Sequence, residues 1–133
     1  MNIKIGDKAN IVKQFTEQDV IEFSKISLDI NPIHLDKFYA QNSIFKKTIC
    51  HGFLTGSLIS AVIANQLPGV GSIYLSQSLY FKRPVFHFDT ITAEVEVIEI
   101  LIEKKIVKMN TICYNQNNEV VIEGIAVLKV PHL

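Results

Sequence analysis

The stretch Asp29-Ile30-Asn31-Pro32-Ile33-His34-Leu35-Asp36 sets a carboxylate, an amide, an imidazole and a second carboxylate within eight residues. Pro32 has no backbone N–H to donate and pushes Asn31 out of the helical region. Asp29 and His34 are therefore expected to flank a rigid bend rather than to stack on a helix. Two such side chains can converge on one small target such as a water, and that pairing suits general acid–base chemistry. Asn31 has two readings: it orients the water or Asp29, or it simply initiates the turn. The turn role is favoured. Asp36 reads as the cap of a following helix.

A second candidate lies at Cys50-His51-Gly52, ahead of a long apolar run. A helix N-terminus carries free N–H groups and partial positive charge, so a carbonyl oxygen placed there is polarised. Gly52, without a Cβ, lets a carbonyl approach its N–H. His51 is read as structural, satisfying a backbone carbonyl. Phe81-Lys82-Arg83-Pro84 ends a strand with two cations. They keep an edge strand soluble, or they contact phosphates; the weaker pair Lys46-Lys47 shares the second reading. No Ser-His-Asp spacing suggests a nucleophile, no His/Cys/Asp cluster has metal spacing, and no Gly-rich phosphate loop is present.

These groups must be held by a scaffold. Residues 9–15 read as a strand. Thr16 caps a helix running to Leu28, with Asp19 as its capping-box partner and Val20, Phe23 and Ile26 as its apolar stripe. A short helix covers Asp36 to Gln41. Gly52 to Gln66, stopped by Pro68-Gly69, is apolar on most faces and is expected to be enclosed. Ile73 to Phe81, Thr90 to Ile102, Lys105 to Tyr114 and Val120 to Val130 are rich in Val, Ile and Thr and read as strands. Short turns make them antiparallel. One helix and about five strands give an α+β arrangement.

With 133 residues the chain is expected to form one domain, residues 1–133, with a real core. The 13 basic and 13 acidic residues cancel to a formal net charge of +0, which argues against nucleic acid as a partner. Met1 to Asp7 has no apolar signal region, and the run Gly52 to Leu67 is too short and too polar to span a membrane. Cys50 and Cys113 without metal-ligand spacing suit a reduced, cytoplasmic protein.

The segment from Asp29 to Asp36 resembles the signature Asp-x-Asn-Pro-[Ile/Leu/Val]-His-x-Asp of the MaoC-like, or R-specific enoyl-CoA hydratase, family. His51-Gly52, Gly71-Ser72-Ile73-Tyr74 and Phe81-Lys82-Arg83-Pro84 are similar to further family elements, so the resemblance covers nearly the whole chain. It implies a hot-dog fold, a curved antiparallel sheet around a central helix, with sheets joined edge to edge in a homodimer. It implies hydration of a trans-2-enoyl-CoA to the (R)-3-hydroxyacyl-CoA, or the reverse dehydration. Asp29 and His34 would hold the catalytic water, and the Gly52 amide would be the oxyanion donor. Ser60 would support the pair, while Lys82 and Arg83 would reach the phosphates of coenzyme A. No metal or other cofactor is implied. The rival readings are a hot-dog acyl-CoA thioesterase and a non-catalytic acyl-CoA-binding module.

Overall fold

A computed structural model describes residues 2–133. In chain order the elements are β1 (Lys8–Gln14), α1 (Glu17–Ser27), α2 (Pro32–Leu35), α3 (Lys37–Gln41), α4 (Gly52–Asn65), β2 (Ile73–Gln77), β3 (Tyr80–Phe81), β4 (Thr90–Leu101), β5 (Ile106–Tyr114) and β6 (Val120–Lys129). The strands form one antiparallel sheet in the order β1-β4-β5-β6-β2, with β3 also paired to β6. The sheet wraps α4, which gives the hot-dog architecture that the family resemblance implied.

Alternation decides which face wraps. Ile91, Ala93, Val95 and Val97 of β4 point inward with Val107, Met109 and Cys113 of β5 and Ile122, Ala126 and Leu128 of β6. They pack with Leu58, Ile59, Val62 and Ile63 of α4 in one core. Helix α4 carries no side-chain N-cap and no charge in its end turns. Burial holds it instead, since each buried aliphatic side chain contributes about 1.5–3 kcal/mol against about 1 kcal/mol for a cap. That leaves the N-terminal amides of α4 without a side-chain acceptor.

Three expectations are corrected. Helix α4 is not enclosed all round, because Phe53, Ser57, Ser60 and Ala64 form an exposed stripe along it. In α1 the capping box forms as read, but Ile26 is 83% exposed and the buried positions are Val20 and Ser24. The inward face there is set by the i, i+4 pair rather than by hydrophobicity. The single strand Ile73 to Phe81 is broken into β2 and β3. A bulge lies between Tyr74 and Ser76, and Ser78 then crosses over Gly124 of β6. A Cβ on Gly124 would lie 1.8 Å from the Ser78 carbonyl oxygen, so only glycine admits the crossing. The crossing is fastened by Ser78 N–H to the Ile125 carbonyl and by Ile125 N–H to Ser78 Oγ.

No helix among the described residues is long and apolar enough to cross a membrane.

Candidate active site

The local chemistry of residues 28–36 builds the first half of the site. Leu28 closes α1 in the left-handed region, at φ 67°, which costs about 1–2 kcal/mol without glycine and throws the chain outward at Asp29. Asp29 Oδ1 accepts from Asn31 N–H, and Asn31 Oδ1 accepts from Ile33 N–H. Pro32 is the first residue of α2, where its missing N–H costs nothing. The bend is thus a proline-started helical turn, with His34 on it and Asp29 just before it. Asn31 caps that turn, which is the role favoured from sequence. Asp36 caps α3 through Tyr39 N–H.

His34 is buried on this turn and tied to the strand-like segment before α4. Its Nδ1 lies 2.8 Å from the Ile49 carbonyl oxygen. A carbonyl only accepts, so Nδ1 carries the ring proton and Nε2 of the neutral ring is the bare acceptor. Ile49 N–H in turn donates to the Ile33 carbonyl, and Cys50 N–H to that of Val85. Burial lowers the pKa of His34 from its ordinary value of 6.5, with the neighbouring His51 acting in the same direction. The neutral, proton-accepting ring therefore persists through neutral pH.

A carboxylate oxygen of Asp29 and ring nitrogens of His34 and His51 lie within 4.8 Å of one another. Asp29 is exposed while both histidines are buried, so the cluster opens to solvent on the carboxylate side. The two rings are stacked, with centroids 3.8 Å apart and planes 26° apart. Their in-plane lone pairs run side by side instead of meeting at the roughly 2.0–2.1 Å that a tetrahedral metal needs. His51 Nε2 is also committed to the Asp29 carbonyl oxygen at 3.0 Å. The geometry suits a shared water better than an ion.

Gly52 begins α4 directly after His51 and lines a largely apolar cavity of about 430 Å³ with Cys50, Phe53, Thr55 and Phe81. Lys82 and Arg83 stand in the same lining. Both are half exposed and paired with carboxylates, Lys82 with Glu123 of β6 and Arg83 with Glu119 just before it. Such surface pairs are worth at most about 1 kcal/mol and would yield to a phosphate. Lys46 and Lys47 line a separate depression with His87.

Among the described residues Ser60 makes no hydrogen bond to Asp29 or His34. It lies two turns along α4 on the exposed stripe. Sequence reasoning also missed three neighbours of the site. Ser24, on α1, reaches His51 Nε2 at 3.1 Å. Thr55 is buried, and its hydroxyl has no partner among the described residues. The Phe81 ring sits on Gly52, where a Cβ would come 2.5 Å from Phe81 Cε1. No spacing rule links residues 52 and 81. Gly52 is not among the positive-φ glycines, so the close approach of the Phe81 ring, and not backbone conformation, favours glycine there. Cys50 and Cys113 are free and buried, and burial pushes both thiols up to about 12, which leaves neither as a thiolate nucleophile.

An open antiparallel sheet around one helix, with an Asp–His cluster beside that helix's N-terminus, defines a hot-dog-fold protein. The chain belongs to the MaoC-like domain family, whose model matches residues 4–122. It is 45% identical to an (R)-specific enoyl-CoA hydratase of Rhodospirillum rubrum over 98% of this chain and 90% of that protein. It is 43% identical to the (R)-specific enoyl-CoA hydratase of Aeromonas caviae, over 98% and 97%. The solved structure of the A. caviae (R)-hydratase superposes with a TM-score of 0.94, covering 97% of this chain and 98% of that one.

Proposed function

We propose that this protein is an (R)-specific enoyl-CoA hydratase, adding water to a trans-2-enoyl-CoA and speeding the reverse dehydration equally. The observation that carries the reading is a His34 ring with a bare Nε2, one of whose nitrogens lies within 4.8 Å of an Asp29 carboxylate oxygen, next to a helix N-terminus with no side-chain cap. Full-length similarity to two hydratases supports it. The thioester carbonyl oxygen would accept from Gly52 N–H, making the β-carbon electrophilic. Water held by Asp29 gives a proton to His34 Nε2 as its oxygen bonds to the β-carbon. Negative charge moves to the carbonyl oxygen as an enolate, and the proton returns to the α-carbon. Lys82 and Arg83 are placed to meet the phosphates of coenzyme A. The whole chain would act as one domain, in a reducing cytoplasm that keeps both thiols free.

Incubation with crotonyl-CoA tests this. Loss of the absorbance of the conjugated bond without free thiol is the expected result. Thiol release would mean a thioesterase, and tight binding without turnover would mean an acyl-CoA-binding module.

The active form is proposed to be a homodimer. Strand β2 ends the sheet with an unpaired edge, and Ile73, Leu75, Tyr80 and Phe81 are each at least half exposed beside the open stripe of α4. An apolar edge of this kind is ordinarily covered, and closed two-fold pairing would cover it. Light scattering at micromolar concentration should return twice the 15.0 kDa chain mass; a monomer mass would defeat the proposal.

A further inference from the structure

His51 touches both halves of the Asp29–His34 pair. The residue is 2% exposed. Its Nε2 faces the Asp29 carbonyl oxygen at 3.0 Å and Ser24 Oγ at 3.1 Å. One face stacks on His34, and Phe23 packs edge-on at 4.8 Å between centroids. The carbonyl can only accept, so Nε2 carries the proton. Nδ1 is then a buried atom with no partner among the described residues, an arrangement that plain space-filling does not call for.

The two contacts do different things. The hydrogen bond fixes the main chain from which the Asp29 carboxylate projects. The stack fixes the plane of His34. A single bond from Nδ1 to Ile49 would let that ring swivel about the bond and carry Nε2 away from Asp29, whereas a ring packed flat against it prevents the swivel. We propose that His51 is a positioning residue that presents Asp29 and His34 to the same water, by holding the main chain of one and the ring plane of the other. The proposal rests on the reading of Asp29 and His34 as the acid–base pair. It adds a role for the residue that joins this pair to Gly52 along the chain.

The groups whose charge reaches His34 are Asp29 ahead of its own turn, His51 at the start of α4 and His87 from the segment after β3. Only the second changes in His51→Phe. That variant keeps an aromatic surface against His34 but loses the donor to Asp29. It also replaces a neighbour that opposes His34 protonation with a ring face that attracts a cation.

The test measures crotonyl-CoA hydration against pH together with an NMR titration of the His34 ring. His51→Phe is expected to lower kcat about 10-fold or more, because small misplacements of reacting groups are costly, with KM within about two-fold. The His34 titration and the acid limb of kcat/KM should both move to higher pH. His51→Gln can still donate to Asp29 but cannot stack, and it too should lose kcat. A folded His51→Phe with wild-type kcat and an unmoved His34 titration would overturn the proposal, as would a variant whose only defect is a lower Tm. If His51→Phe does not fold, wild-type kcat in His51→Gln overturns it. If the wild-type protein does not hydrate crotonyl-CoA, the functional reading fails, and the His34 titration in His51→Phe still decides whether His51 governs that ring.

Discussion

Asp29→Asn and His34→Ala should each lower kcat for crotonyl-CoA hydration by about 10² or more, the usual worth of a positioned acid or base, with a smaller change in KM. Asp29→Asn is the cleaner test. An asparagine Oδ1 can still accept from Asn31 N–H as Asp29 Oδ1 does, so the turn survives and only the charge and proton affinity are lost. His34→Ala also removes the bond to the Ile49 carbonyl, so its circular dichroism and Tm must be compared with wild type. More than half of wild-type turnover in either folded variant would remove that residue from the pair.

The wild-type pH profile follows from the same ring. Burial holds the His34 pKa below 6.5, so the acid limb of kcat/KM should fall below that value rather than at it. Stability carries the same sign. The unfolded chain protonates this histidine first, so its contribution is full above about pH 6.5 and is lost as pH falls towards the lower folded pKa.

Gly52→Val should reduce turnover by about 10²–10³, as for loss of an oxyanion donor. Two causes predict the loss: a branched side chain blocks the thioester oxygen from the amide, or it expels the Phe81 ring, which lies 2.5–3.2 Å from the new Cβ position. Phe81 is 51% exposed and can swing outward, so the fold is expected to survive. Phe81→Ala alone, which removes the ring and leaves the Gly52 amide open, separates the causes. If it loses turnover as Gly52→Val does, the glycine serves the packing of Phe81. If it stays active while folded Gly52→Val is inactive, the blocked amide accounts for the loss. A folded, fully active Gly52→Val would place the oxyanion donor elsewhere.

The parts of the site that were legible in the sequence are the ones built from neighbours in the chain. Thr16 with Asp19, Asn31 with Pro32, and Asp36 are capping and turn devices whose partners lie within three residues. The strands from Thr90 onward end within one residue of their expected bounds, because alternation over nine or more residues is a strong signal. What was not legible depends on contacts between distant segments. The break between β2 and β3 is imposed from across the sheet by Gly124. The stack of His34 on His51 and the seating of Phe81 on Gly52 join residues that no periodicity relates.

Phe81 belongs at once to the cavity wall and to the open margin of the sheet. Whatever docks along that margin also sets the ring that covers Gly52, so self-association and substrate binding would draw on a single equilibrium. Thermodynamic linkage makes such an arrangement reciprocal. Dilution should weaken the grip on substrate, and saturating substrate should hold the subunits together at concentrations where the free protein comes apart.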